Sequence, residues 1–412
     1  MTSQLVLANG AGIALASDSA ITVNRSRTYD SGEKIAALPD PHRLAVMWSD
    51  SGLRDRLPVE VLLKEWIRSL PVEPDGSVGG YRDDFVSWFG NKADRWGSAH
   101  NRDVAAWNSL RLKFYRLVKL VKEDLDRAEE GKPPTDVVLE ALRYHNEKLA
   151  HHIHVVSSAT AESIVDHWWK PDNTLKKPRV GLEEEVREIF GDIPRSETID
   201  EEIRTFLRLV VETGADFPDG SWTTIDFVGY GANDLWPSVA RVELGGSMDK
   251  TVWHYSHEPS KAQDAGASYA LLWSSAQDDI IRLILHGWNP RMSQEATSVA
   301  IDNLYASGTF GFPDQEPEGQ VSPQEDRIES SKAEMLEAVE TAFHGLADAK
   351  WINRTFDTVA VMPLLDLAAA AGALVAVQAL TLDIRGHLPS VGGRIDVATI
   401  TVNEGFRWIS HG

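Results

Sequence analysis

Residues 2–19 read Thr-Ser-Gln-Leu-Val-Leu-Ala-Asn-Gly-Ala-Gly-Ile-Ala-Leu-Ala-Ser-Asp-Ser, and a polar stretch then leads to Lys34-Ile35. Ser3 to Ala8 is a short apolar run, Asn9-Gly10 is a hairpin turn signal, and Ile13 to Ser17 is a second run. The stretch predicts a β-hairpin. A hairpin returns the end of its second strand to the start of its first, so Asp18 is expected beside Thr2. Lys34 to Leu38 and Arg43 to Trp48 read as a further strand pair, broken by Pro39-Asp40-Pro41, so Lys34 enters from an adjacent strand.

Thr2 is the candidate nucleophile. Removal of an initiator Met before a small residue would leave it with a free α-amine. One residue would then carry both a hydroxyl and a base, because an α-amino group titrates near 8 and accepts the hydroxyl proton near neutral pH. An ammonium nearby depresses that value through like-charge repulsion, and a carboxylate orients the ammonium. Asp18 and Lys34 are the residue types such a site requires.

Outward from this stretch, Asp55 to Leu70 carries apolar residues at helical spacing (Leu57, Val61, Leu62, Trp66, Leu70) and is expected as an amphipathic helix. From 72 to 222 the texture becomes helical, with helices expected at Leu110 to Ala128, Thr135 to Ile153, Leu182 to Phe190 and Ile199 to Thr213. Pro133-Pro134, Pro171 and Pro178 punctuate them. Strand texture returns at Thr223 to Gly231, Ser238 to Leu244 and Thr251 to Tyr255. Beyond it come an apolar helix from Ala276 to His286, an exposed loop over 311–328 and a polar helix from Ser330 to His344. Asp357 to Met362 reads as a short strand, Pro363 as the first residue of a helix to Leu382, and Ile395 to Val402 with Gly405 to Ile409 as a closing hairpin. The expected class is α+β, with a core from 1–71 and 223–412 and a mostly helical insertion over 72–222.

The chain has 412 residues, 41 basic against 62 acidic, for a formal charge of −21. That balance argues against nucleic acid as a partner, since phosphate-backbone affinity needs clustered Lys and Arg. Cysteine is absent, which removes disulfides, thiolate metal sites and Cys nucleophiles. The longest apolar stretch, Leu367 to Leu380, is shorter than the roughly 18 residues of a membrane span, and the N-terminal residues show no basic region followed by an apolar one, so they are not expected to be a secretory signal. A cytoplasmic protein without a membrane partner is expected.

At this point the sequence resembles a known family. Thr2, the segment Gly12-Ile13-Ala14-Leu15-Ala16-Ser17-Asp18-Ser19 and Lys34-Ile35 are similar to the start of proteasome β subunits and bacterial HslV-type peptidases. Ser49-Asp50-Ser51-Gly52, Val228-Gly229-Tyr230-Gly231 with Pro237-Ser238, Met362-Pro363 to Leu382, and Val391-Gly392-Gly393-Arg394-Ile395-Asp396-Val397 extend the likeness more weakly. The resemblance implies the N-terminal nucleophile hydrolase fold, a four-layer αββα sandwich, and a threonine protease needing no cofactor. It implies Thr2 as nucleophile, with its amine as base, Lys34 tuning that amine or the hydroxyl, and Asp18 holding Lys34. It further implies a peptide or protein substrate, homo-oligomeric rings and an ATPase that feeds them.

Three positions depart from the family pattern. The oxyanion glycine expected 46 residues after the nucleophile is Trp48, so Trp48 or Ser49 would supply the backbone N–H. Ser390 stands one place early before Gly392-Gly393, with no acid in position, and Ser274-Ser275 is the loose counterpart of a Ser-Gly pair. Two other readings stand beside the peptidase: a non-catalytic binding or regulatory protein on the same fold, and a small-molecule amidase. His145, His151, His152, His154 and His167 form the one histidine cluster; without a His-Glu-x-x-His spacing it is read as a solvated or partner-facing surface, not a metal site. Trp168-Trp169 and Trp222 are read as packing for the insertion, and Gly229-x-Gly231 as too sparse for a phosphate loop.

Overall fold

The computed structural model describes residues 2–23, 27–30, 32–54, 57–96, 99–128, 132–169, 190, 196–214, 222–248, 251–262, 269–287, 297–301, 303, 335–339, 341, 351–384 and 391–411. The described chain is a mixed α+β protein with antiparallel sheets. It forms two units. The first comprises Met1–Ala45, Val228–Val239 and Ser260–Gly412, and the second Val46–Phe227 and Ala240–Pro259.

The opening hairpin forms as the sequence predicts. β1 (Ser3–Asn9) and β2 (Gly12–Asp18) pair antiparallel with Gln4 opposite Ser17 and Asn9 opposite Gly12. The Asn9 carboxamide fixes the turn by accepting from the Ala11 N–H at 2.8 Å. Short strands β3 (Ile21–Val23) and β4 (Arg27–Tyr29) pair with each other, and β5 (Ile35–Ala37) begins one residue after Lys34. β6 (Leu44–Asp50) follows.

The expected helix from Asp55 starts later. Leu53–Arg54 (β7) and Leu57–Pro58 (β8) pair first, and α1 runs Val59–Ser69. Pro58 disfavours helical backbone at Leu57 and is itself extended, so Leu57 belongs to a strand although its spacing fits the helix.

In the second unit, α2 (Val78–Trp96), α3 (Ala99–Arg127), α4 (Pro134–Ala150), α5 (Ser158–Trp169) and α6 (Glu197–Thr213) follow. Leu117, Leu142, Val165, Ile203 and Leu207 are among the side chains of one continuous buried cluster. The insertion is therefore a packed body, not a solvated excursion. Ser196 caps α6 by accepting from the Ile199 N–H, and Gly214 ends it in the left-handed region. The expected helix Leu182 to Phe190 lies outside the described residues except for Phe190, as do the loop 311–328 and most of the helix 330–344.

β9 (Thr223–Gly229), β10 (Ser238–Met248), β11 (Thr251–Ser256) and β12 (Ser260–Lys261) come next. A six-stranded sheet has the order β11-β10-β9-β6-β5, with β12 against β10, and its strands β6, β9 and β10 run from one unit into the other.

Leu271–Ala276, which carries no clear strand signal in the sequence, is β13, and α7 begins only at Asp279, running to His286. Of residues 357–362, expected as a strand, 357–361 belong to α8 (Asn353–Val361) and Met362 is the extended residue that ends it. Their Val and Thr content favours strand, but Phe356, Val359 and Ala360 fall on one helical face and pack into a buried cluster, which outweighs propensity. α9 (Leu364–Ile384) and the hairpin β14 (Ile395–Thr401) and β15 (Gly405–Ser410) complete the chain.

The five-stranded sheet has the order β13-β1-β2-β14-β15. Alternate residues of β1 and β2 (Leu5, Leu7, Ala14, Ala16) face Leu367, Ala368, Ala371 and Val375 of α9 and Ile281 of α7 in one cluster. By length and composition α9 could cross a membrane, yet this face of it is buried against the sheet.

Candidate active site

Asp18 ends β2 and is completely buried. A bare carboxylate there would be prohibitively costly, so its oxygens need donors. The Lys34 ammonium donates to Oδ1 at 3.0 Å and the Ser3 backbone N–H donates to the same oxygen at 2.8 Å. The Gly392 N–H donates to Oδ2 at 3.0 Å. The first unit thus supplies donors from β1, from the approach to β5 and from the glycine loop before β14.

Local structure explains each approach. Hairpin register brings the end of β2 level with the start of β1, where Ser3 stands. Ile395 of β14 pairs with Asp18, and the Ser19 N–H donates to the Arg394 carbonyl, which carries the Gly392-Gly393 loop past the end of β2. Gly393 adopts φ +71°, and a Cβ there would lie 2.8 Å from Ser19 Oγ, so the loop requires glycine. The Gln4 carboxamide donates to the Lys34 carbonyl at 3.4 Å and to Ser17 Oγ at 3.3 Å, steadying the backbone that delivers the lysine.

Burial lowers the Lys34 pKa from its ordinary value of 10.5; the charge of Asp18 and its hydrogen bond act in the opposite sense and do not fully offset it. Lys34 gives up its proton more readily than a surface lysine while remaining tied to a carboxylate. Thr2, the residue before Ser3, is buried, and its carbonyl accepts from the Gln277 N–H at 2.8 Å.

Asp18 and Lys34 therefore pair at one end of the five-stranded sheet, where Asp18 also holds the N–H of Ser3, the residue after Thr2. Ser274 does not join the carboxylate: it sits opposite Leu5 in β13 and donates to Asp278 at 2.5 Å, and Asp278 also accepts from Arg282 at 2.7 Å. Trp48 and Ser49 are buried in β6, in the second unit. Ser390 lies outside the described residues. Sequence reasoning missed Gln277 and Asp278, and it missed the role of the Gly392 N–H; the Gly-Gly pair was visible, but no local signal ties it to Asp18.

The histidines behave as ends of a helix. Ring nitrogens of His151 and His152 lie 2.6 Å and 2.9 Å from the Glu147 and Lys148 carbonyls, at the C-terminus of α4. His154 lies 3.3 Å from Glu212 of α6. Burial lowers the pKa of His145; the charge of Asp124 opposes this and that of Lys148 adds to it. Among the described residues no group of three His, Asp or Glu is arranged to hold a metal.

No known protein-family model matches the chain, and no curated protein matches it, so the residues themselves carry the functional reading.

Proposed function

We propose that the chain is an N-terminal threonine hydrolase of proteasome-like build that cleaves amide bonds, those of peptides foremost. The observation that carries this reading is the fully buried Asp18 carboxylate, which holds Lys34 at 3.0 Å and the Ser3 N–H at 2.8 Å, one residue from Thr2. A strand-end carboxylate serving only to cap a turn would not need a buried lysine. The same reading takes the fold as a four-layer αββα sandwich; the five-stranded antiparallel sheet with α7 and α9 on one face supports it.

In this mechanism the initiator Met is gone and the Thr2 amine is free. The amine takes the Thr2 hydroxyl proton as Oγ1 attacks the substrate carbonyl, and Lys34 keeps the amine's proton affinity low enough for this near neutral pH. The leaving amine departs with that proton, leaving an ester on Thr2. Water, deprotonated by the same amine, then attacks the ester, and the proton returns to Oγ1 as the acid product leaves. No step depends on Trp48 or Ser49.

A peptide-cleavage assay with the intact chain tests the reading. Thr2→Ala should abolish turnover, and Lys34→Ala should reduce it by roughly 10²–10⁴-fold with the fold retained. Undiminished turnover in either variant contradicts it. The alternative is a non-catalytic protein on the same fold, and processing distinguishes the two: while Met1 stays joined to Thr2, the Thr2 nitrogen is an amide without basicity.

A further inference from the structure

The helical layer over the five-stranded sheet is not closed. Between α7, α8 and α9 a cavity of about 350 Å³ reaches down to Leu7 of β1, which is itself buried. Trp351 and Ile284 flank its mouth and are about half exposed, at 48% and 49%. Leu374 of α9 forms part of the wall. The floor and most of the wall of the slot are therefore apolar.

Its hydroxyls are already committed. Thr355 Oγ1 donates to the Leu285 carbonyl at 2.8 Å, with the Trp351 carbonyl at 3.0 Å, and Thr358 Oγ1 donates to the Arg354 carbonyl at 2.8 Å. Arg354 lines the same slot, and among the described residues its guanidinium has no ion pair or hydrogen bond. An always-charged planar donor at the edge of an apolar slot matches a carboxylate carried on a hydrocarbon.

Size narrows the occupant. A volume of about 350 Å³ lies at the lower end of the roughly 300–1,000 Å³ of small-molecule sites, a size suited to an alkyl chain of roughly eight to ten carbons and its headgroup. A docking helix, about 10–12 Å across with its side chains, would rest on the mouth without filling the depth. We propose that this slot binds a linear amphipathic monocarboxylate, its tail against Leu7 and Leu374 and its headgroup on Arg354. This site is separate from the Thr2–Asp18–Lys34 group and does not rest on the hydrolase reading.

Calorimetric titration of the full chain with decanoate tests it. Saturable binding of one decanoate per chain is expected, with decanol and the Arg354→Ala variant each weaker by roughly tenfold or more, the effect of losing a charge-assisted contact. Thr358→Trp, at an exposed position on the rim, should block binding, with circular dichroism checking its fold. Should that variant fail to fold, the comparison with Arg354→Ala decides alone. Absence of saturable binding, or equal affinity in Arg354→Ala, would overturn the proposal. So would a concentration-dependent dimer that takes up no decanoate and dissociates in Thr358→Trp, which would give the slot to a second copy of the chain.

Discussion

Asp18 was legible from the hairpin that brings it to the start of β1, but the approach of Lys34 was not: β2 has β1 and β14 as its neighbours, and β5 belongs to the other sheet, so the lysine does not arrive from an adjacent strand. Their energetics needed the structure. Burial depresses the Lys34 pKa below 10.5, so between that depressed value and 10.5 the unfolded chain holds a proton that the folded chain has released. Stability from this group therefore rises with pH across that window. Lys34→Met should remove the rise, as measured by denaturant unfolding at a series of alkaline pH values; an unchanged pH dependence would contradict the burial argument. Asp18→Ala, which strands the lysine, should cost about 3–5 kcal/mol in the same measurement.

Elements were legible where pattern and packing agree. The hairpins β1–β2 and β14–β15 follow from turn residues between apolar runs. β13 and α8 were not legible: Leu271–Ala276 is a strand because β1 offers an edge 270 residues away in sequence, and Asp357 to Val361 is helical because its buried face is set by α9 and the sheet. The Gly392 bond to Asp18 was hidden for the same reason, since pairing across the whole chain leaves no local trace. Gly393→Ala should cost about 1–2 kcal/mol through its left-handed backbone and the approach to Ser19, read as a lowered denaturation midpoint. Leu207→Ala in α6 opens a cavity in the second unit's cluster and should cost about 2–5 kcal/mol. Tyr230, just after β9, tests burial with the opposite sign to Lys34. Burial pushes its hydroxyl up to about 12, the nearby Arg43 only partly opposing, so its contribution to stability is lost as pH rises from about 10 toward that value. Absorbance titration should show an ionisation near pH 12 that is missing from Tyr230→Phe.

Across the whole molecule, composition excluded thiol chemistry and disfavoured nucleic acid, while the class of fold followed from the order of strand and helix texture. How the chain divides was harder to see: the described units cut through β6, β9 and β10, and no change in composition marks a boundary inside a strand. The central claim concerns one end of the chain and can be read on the intact molecule. Its mass should be determined before and after exposure to a threonine-directed β-lactone. Loss of Met1 and a single adduct, absent from a Thr2→Ala variant that melts at the same temperature, is the predicted result; a retained Met1 with no adduct would contradict the account.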